Sequence, residues 1–504
     1  MARLRIPGML LALASAMIAA RPARAQTPPN IVFVVADDLG YGDIGCFGQD
    51  KIRTPNLDRL AAEGMRLTRH YAGNAVCAPS RCVLMTGRHP GHAPIRNNRE
   101  AQPEGQFPLP AGTETLARRL KDRGYATGAF GKWGLGGPGS SGEPMRQGID
   151  RFFGYNCQRI AHNYYPTLLW DDDRRHPLDN PPFSAHDRLK PGEDPAKPEA
   201  YARFSGRQYA PDLIAEQAVR FVEANKDRPF FLFLPTTVPH LALQVPDDSL
   251  REYADQRWDE APYLGDRNYL PHPTPRAAYA AMITRMDREI GRIMGRVRDL
   301  GLDDRTICVF TSDNGPLYDR LGGTDADFFR SAGGLKGRKG SLDEGGVRVP
   351  CIVRWTGKIA AGTTSDRVTG FEDWTPTLIE LAGGSGSIPG LDGISFAPTL
   401  MGQKQSPRPF LYREFPAYGG QQAVWAGKYK AIRRNLAPTP AARKRGDAPP
   451  PSAELYDLEA DPAEAKDLAA DLPETLAELL RIGRREHTPN PDFPFPRLDA
   501  ESNP

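Results

Sequence analysis

Ile31-Val32-Phe33-Val34-Val35-Ala36-Asp37-Asp38 is an unbroken apolar run that stops on two carboxylates. Six apolar residues rich in β-branched side chains, with no polar alternation, describe a strand buried on both faces, as in parallel sheets covered by helices. Ile307-Cys308-Val309-Phe310-Thr311-Ser312 repeats the pattern and stops on Asp313-Asn314-Gly315. Between them, helical patterns alternate with apolar runs: Asn56 to Ala62; Thr113 to Asp122 into Tyr125 to Phe130; Pro211 to Ala224 into Phe230 to Leu234; Ala277 to Leu300 into Thr306 to Thr311. Pro350 to Val353 reads as one more buried strand. This alternation predicts an α/β fold whose large, mostly parallel sheet is sandwiched by helices.

Ligands of such sheets bind beyond the C-terminal strand ends, so both oxygen-rich pairs fall at the expected crevice. Asp37, Asp38, Asp313 and Asn314 offer three carboxylates and an amide carbonyl, a donor set for Ca2+ or Mg2+ rather than Zn2+. Two Asx turns closing two strands are the structural alternative. Residues 171–200 and 241–275 are rich in Pro, Asp and Arg and read as long loops able to build a substrate rim. After Leu400 the alternation ends. Pro409 to Phe415, Ala423 to Ala426 and Leu455 to Leu458 read as short antiparallel strands and Leu472 to Arg485 as a helix. These form a smaller C-terminal α+β subdomain over residues 401–487, followed by an extended tail, 488–504.

The 504 residues, 39% hydrophobic and 25% charged, describe a globular protein with many ordered loops, given 50 glycines and 49 prolines. Residues 1–25 read as a secretory signal: Arg3 and Arg5, an apolar stretch from Met9 to Ala20, then Ala23-Arg24-Ala25. No later stretch approaches a membrane span. Removing that segment deletes four arginines and no acids, taking the formal charge from +3 to −1. With no basic run interleaved with aromatics, nucleic-acid binding is not expected. Anion affinity must be local. The compartment is outside the cytoplasm, periplasmic or secreted from a bacterium. Six cysteines in an exported chain of this size make no disulfide framework.

Cys77-Ala78-Pro79-Ser80-Arg81, continued by Thr86-Gly87-Arg88, sets a small nucleophile beside a guanidinium. Pro79 suits a first helical turn, which puts Cys77 at a helix N-terminus, where free N–H groups favour anions. A Cys77–Cys82 bridge or a buried thiol is the structural alternative.

This Cys-x-Pro-Ser-Arg pattern resembles the signature of the type I sulfatases, of the alkaline phosphatase superfamily, in which the cysteine is oxidised to formylglycine. Five further blocks extend the resemblance: Ala36-Asp37-Asp38-Leu39-Gly40, Gly131-Lys132-Trp133, Pro239-His240, Ser312-Asp313-Asn314-Gly315, and Lys339-Gly340 with Glu344-Gly345-Gly346-Val347-Arg348. Leu455-Tyr456-Asp457-Leu458 resembles the C-terminal segment of many members. The resemblance implies an alkaline-phosphatase-like catalytic domain over residues 26–400 and a Ca2+ or Mg2+ ion on Asp37, Asp38, Asp313, Asn314 and the oxidised Cys77. It also implies a formylglycine-generating enzyme as maturation partner and a sulfated small molecule or glycan as substrate. Arg81 would hold the formylglycine and the sulfate, Lys132 and Lys339 would neutralise sulfuryl oxygens, and His240 would protonate the leaving oxygen. The hydrate of the aldehyde would attack sulfur, and loss of its second proton would expel sulfate.

The chain departs from the family at Gly134, where many members carry a histidine serving that second step. His162 is the candidate replacement, with a structural loop histidine as its alternative. Phe152, Phe153, Tyr155, Tyr164, Tyr165 and Trp170 either line a sugar or aryl pocket or pack a loop onto the core. Rival functions are a phosphate or phosphonate monoester hydrolase of the same superfamily, which with zinc would need histidine ligands, and a catalytically silent sulfated-glycan-binding protein.

Overall fold

The computed structural model describes residues 28–258, 261–318, 320–437 and 449–502. The signal expected over residues 1–25 lies outside these. The large sheet contains β1 (Asn30–Asp37), β2 (Met65–Tyr71), β3 (Ala126–Lys132), β4 (Arg151–Tyr155), β5 (Leu168–Asp171), β6 (Arg174–Pro177), β7 (Phe230–Pro239), β8 (Thr306–Ser312), β9 (Arg348–Trp355), β10 (Thr363–Ser365) and β11 (Thr369–Gly370). Its order is β10-β2-β9-β8-β1-β7-β3-β4-β5-β6, with β11 also on β2. The five central strands β8, β1, β7, β3 and β4 are parallel. β9 is antiparallel to both β8 and β2, which restores β2 to the direction of β1.

β1 shows why an unbroken apolar run becomes the centre of the molecule. Alternate residues of a strand face opposite sides. Val32, Val34 and Ala36 enter one core, while Ile31, Phe33 and Val35 enter the other. The first core is closed by Ile214, Ala218 and Phe221 of the helix Ala210–Ala224 and by Met282, Met286 and Ile290 of Pro275–Asp299. The second is closed by the helices Cys77–Thr86, Leu116–Lys121 and Trp374–Leu381. There Phe33 meets Trp374 edge-on at 5.1 Å. Each such side chain removed from water stabilises the fold by about 1.5–3 kcal/mol.

A four-stranded antiparallel sheet follows, ordered β12 (Leu411–Phe415), β13 (Gln421–Ala426), β14 (Tyr429–Arg434) and β15 (Ser452–Asp457). It carries one strand more than the sequence predicts. β14 reads as polar, yet Lys430 is wholly buried, its ammonium 3.2 Å from Glu344 and 2.8 Å from Glu464. The helix Pro473–Glu486 packs against this sheet through Leu479. The tail differs from the extended arm expected for it. Residues Pro496–Ser502 are helical, and Phe493, Phe495 and Leu498 are buried, with Phe493 edge-on to Phe107 at 5.1 Å. Apolar residues spaced among prolines gave the tail something to bury. The six aromatic residues Phe152, Phe153, Tyr155, Tyr164, Tyr165 and Trp170 are all buried in the two cores, four of them on β4 and β5, and Tyr155 and Trp170 also line a side cavity.

Candidate active site

Five strands and one antiparallel neighbour deliver the predicted residues to one edge. Asp37 ends β1, Lys132 ends β3, His240 follows β7, and Asp313-Asn314 follow β8. Cys77 opens the helix that follows β2. Lys339 precedes β9, whose N-terminal end lies at this edge because the strand runs backwards. The backbone interlocks these ends: Asp313 N–H donates to the Ala36 carbonyl at 3.0 Å, and Gly340 N–H to that of Ala75 at 2.8 Å.

The helix Cys77–Thr86 is buried all round. A helix so placed needs its ends satisfied from outside. Asn98 Oδ1 accepts from Ala78 N–H at 3.0 Å, and Gly87, at φ 67°, closes the C-terminus by donating to Val83. Before the helix, Gly73 N–H donates to Ser80 Oγ at 2.9 Å, and a Cβ at Gly73 would stand 2.6 Å from the Ser80 carbonyl. Only glycine lets the loop approach so closely. From the second sheet, Arg413 Nε donates to the Ala72 carbonyl at 2.7 Å and Asn74 Nδ2 to that of Glu414 at 3.0 Å.

Cys77, 2% exposed, has its Sγ 3.4 Å from Asp37 Oδ1, 3.6 Å from Lys339 Nζ and 3.9 Å from Asp38 Oδ1. Burial, and then the Asp37 charge, push the thiol pKa far up, so the bare thiol is a poor nucleophile here. Three cations match the three carboxylates. Lys132 Nζ lies 2.6 Å from Asp37 Oδ2, Lys339 Nζ 2.8 Å from Asp38 Oδ2, and Arg81 Nε 2.9 Å from Asp313 Oδ2. Arg81 Nη1 also donates to the Lys132 carbonyl. Burial opposes the charge on Asp37, but Lys132, His240, Arg81 and Lys339 outweigh it and hold its pKa well below the usual range. Burial and the Asp37 charge raise that of Asp313.

Three against three leaves the cluster formally neutral, so a divalent cation would make it net positive and suited to an anion. The donor set fits such an ion. Asn314 Nδ2 donates to Asp38 Oδ1 at 2.7 Å, while Asn314 Oδ1, buried among carboxylates, accepts no hydrogen bond from any described residue. Polar atoms buried without partners are rare in folded proteins, and a carbonyl oxygen in this position is free to bind a cation. Sequence motifs do not assign His240 to the cation cluster. The structure brings its ring to within 4.8 Å of ligand atoms of Asp37, Asp38 and Cys77, across some 200 residues of chain that carry no local signal.

His240 Nδ1 lies 2.8 Å from the Leu241 carbonyl, which makes Nδ1 the donor and turns Nε2 to Asp38 Oδ2, 3.4 Å away. Burial lowers its pKa to about 4. His162 stacks on it, ring centroids 4.7 Å apart and planes 10° from parallel. Beyond His162 runs a short hydrogen-bonded chain. Asn268 Oδ1 can only accept, so His186 Nδ1, 2.6 Å away, donates; His186 Nε2 then accepts from His162 Nδ1 at 3.2 Å. That chain fixes His162 as the tautomer with an unprotonated Nε2. Burial, and then His240, push its pKa well below the ordinary value, keeping the ring neutral.

These groups open on a cavity of about 670 Å3. Its floor is Cys77, Lys132, His162, His240 and Lys339, and its walls include His186 and Asn268-Tyr269 from the two long loops. Of the six aromatics flagged in the sequence none lines it; Tyr269, Tyr318 and Tyr418 do. All six cysteines are free thiols, so Cys77 and Cys82 are not bridged. Among the described residues no helix is long and apolar enough to cross a membrane.

A family model described as Sulfatase matches residues 29–385, and one described as N-sulphoglucosamine sulphohydrolase, C-terminal, matches residues 338–480. Human arylsulfatase A is 34% identical over 94% of this chain and 89% of its own length. Mouse steryl-sulfatase is 31% identical over 97% and 88%. Among solved structures, a sulfatase from work on glycosaminoglycan metabolism by Bacteroides thetaiotaomicron is 27% identical, with a TM-score of 0.69 over 90% of this chain and 98% of that one.

Proposed function

The chain belongs to the type I sulfatases, enzymes that hydrolyse sulfate esters, and on that premise we propose that it removes sulfate from sugars, at a formylglycine made from Cys77 beside a divalent cation. The observation that carries this reading is the Cys77 side chain, set among Asp37, Asp38 and Lys339 at the shared edge of the strands. Asp37, Asp38, Asp313 and Asn314 would hold Ca2+ or Mg2+, the orphaned Asn314 carbonyl oxygen being the strongest sign of a missing ligand. Bound there, the cation polarises oxygen and lowers the pKa of a hydroxyl on it, and the aldehyde hydrate offers two hydroxyls on one carbon.

The remaining work falls to side chains of this protein. Arg81, fully buried and forked onto Asp313, fixes one wall of the cluster and leaves Asp37 shared with Lys132. Lys132 and Lys339 bring positive charge to the sulfuryl oxygens. His240, whose Nδ1 donates to the Leu241 carbonyl, presents Nε2 towards the cavity, and in its imidazolium form would give a hydrogen bond or proton from there to the departing oxygen. His162, held with Nε2 free by His186 and Asn268, is the group available to take the second proton in place of a residue at 134.

The sugar preference rests on the cavity mouth. Asn97, Asn98, Glu100 and Arg159 offer hydrogen-bonding groups, and Tyr318 with the 60%-exposed Tyr418 offers flat apolar faces. That mixture suits a hydroxylated ring better than a bare aryl group. Residues 26–400 would then carry the chemistry, and the 401–487 subdomain would brace it through Arg413, Asn74 and the Gln421–Gly340 bond.

Two measurements test this. The Cys77 peptide of protein exported by its native host should be lighter by roughly 18 Da, as oxidation of CH2–SH to an aldehyde requires. The mass-verified protein should release sulfate from defined sulfated sugars faster than from a chromogenic aryl sulfate. An intact thiol with no turnover would leave only a silent glycan-binding protein; faster turnover of a phosphate or phosphonate monoester would favour that rival hydrolase.

A further inference from the structure

Gly134 stands two residues beyond Lys132, in the left-handed conformation at φ 74°. A Cβ built there would lie 2.8 Å from Gln158 Nε2, 3.2 Å from its Cγ and 3.4 Å from its Cδ. The end of the Gln158 side chain therefore fills the space that any side chain at 134 would enter. Gln158 is 6% exposed and lines the cavity that holds Cys77, Lys132 and His162. Its Nε2 is buried and has no hydrogen-bond partner among the described residues. A buried donor left so costs about 1–3 kcal/mol. Such a cost persists in native proteins where a ligand completes the bond.

We propose that Gln158 is a substrate-binding residue of the desulfating site, its carboxamide N–H donating to a sulfuryl oxygen from the niche that Gly134 leaves open. This inference rests on the reading of the cavity as a sulfate-ester site. A carboxamide adds no charge and accepts no proton at neutral pH. Gln158 thus supplies the hydrogen bond that a side chain at 134 would give, and leaves proton removal to another group. The segment after β4 presents both, since Gln158 and His162 stand four residues apart and face the same cavity.

The test uses Gln158→Met, which keeps length and removes the donor, and the pair Gln158→Ala and Gly134→Ala. Cys77 conversion and the unfolding midpoint are checked for every variant. Losing one hydrogen bond to a charged oxygen should weaken inhibition by inorganic sulfate and lower kcat/KM by about 10- to 100-fold. Gly134→Ala should impair the wild type by pushing the carboxamide aside, and should cost markedly less in the Gln158→Ala background, where only backbone strain remains. If the wild type releases sulfate and a converted, folded Gln158→Met matches it in sulfate inhibition and kcat/KM, the role of Gln158 is refuted while the reaction stands. Equal effects of Gly134→Ala in both backgrounds would refute the shared niche. A wild type that releases no sulfate from any ester overturns the premise instead.

Discussion

Replacing Arg413 by methionine tests how the second sheet supports the first. The side chain is wholly buried and spends its donors on Glu372 Oε1 at 3.0 Å, Glu372 Oε2 at 2.9 Å, and the carbonyls of Ala72 and Tyr412 at 2.7 Å each. Removing one partner of a buried ion pair costs about 3–5 kcal/mol, mostly as the penalty of the charge left behind. Glu372 keeps Arg408, 3.0 Å from Oε1, so the lower end applies, about 3 kcal/mol. The deserted Ala72 carbonyl adds about 1 kcal/mol. Arg413→Met should therefore lose about 4 kcal/mol in urea unfolding followed by tryptophan fluorescence and circular dichroism together. Arg413→Met/Glu372→Met should recover at least half of that loss, since no unpaired carboxylate remains and Arg408 keeps Asp373. Burial raises the Glu372 pKa, but Arg413 and Arg408 outweigh it and bring it down to about 2. A depressed carboxyl pKa stabilises the fold above its unfolded value of about 4.3, and that stabilisation fades as pH falls towards the folded one. The deficit of Arg413→Met should thus be largest above about pH 5 and shrink in acid. A single variant within about 1 kcal/mol of wild type, or a double variant as unstable as the two singles summed, would refute the reasoning.

Chelation of a metal-loaded preparation should abolish turnover and lower the unfolding midpoint, and Ca2+ or Mg2+ should restore both; at 100 times its dissociation constant the ion adds about 2.7 kcal/mol. An unchanged midpoint would argue against an ion among Asp37, Asp38, Asp313 and Asn314. Lys132→Met should cut kcat by about 100-fold or more, because it removes charge from the sulfuryl oxygens and leaves Asp37 only the longer contact with Arg81 at 3.5 Å; activity within twofold of wild type would contradict that role. His162→Ala should lower kcat by about 100-fold or more with little change in KM, and His186→Ala should reproduce part of the loss by releasing the tautomer. Equal activity of His162→Ala would reject its part in the second proton transfer.

Much of this could be read along the chain because the signals were local. Six apolar residues ending on Asp37-Asp38 are a central strand in any context that covers both faces, and strand ends locate the crevice without further information. Cys77, Asp313 and Lys339 stood out through short motifs. What could not be read depended on distance. The Lys430 strand looks polar because its partners, Glu344 and Glu464, lie 86 residues upstream and 34 downstream. The tail looks extended because proline masks the burial of Phe493 and Phe495. Arg413 carries no motif, although it holds the loop before Cys77. Gln158 drew no notice because an amide is unremarkable until its donor is seen without a partner, beside a glycine whose missing side chain makes room for it.

The place of β1 has a consequence in time. It cannot be flanked until β7 and β8 exist, and Val32 pairs with Leu232 on one side and Cys308 on the other. At about 5–20 residues per second, synthesis leaves roughly 15–55 s between the central strand and its last neighbour. Until β8 and β9 arrive, the Cys77 helix lacks part of the sheet that buries it, and its thiol would be open to the oxidation proposed for it. Once β8 and β9 dock, the window shuts. Contacts so remote in sequence also fold slowly and keep apolar strands unpaired, a state that invites chaperones. The order of elements would thus act as a clock: the proposed oxidation of the thiol would have to precede the assembly that hides it.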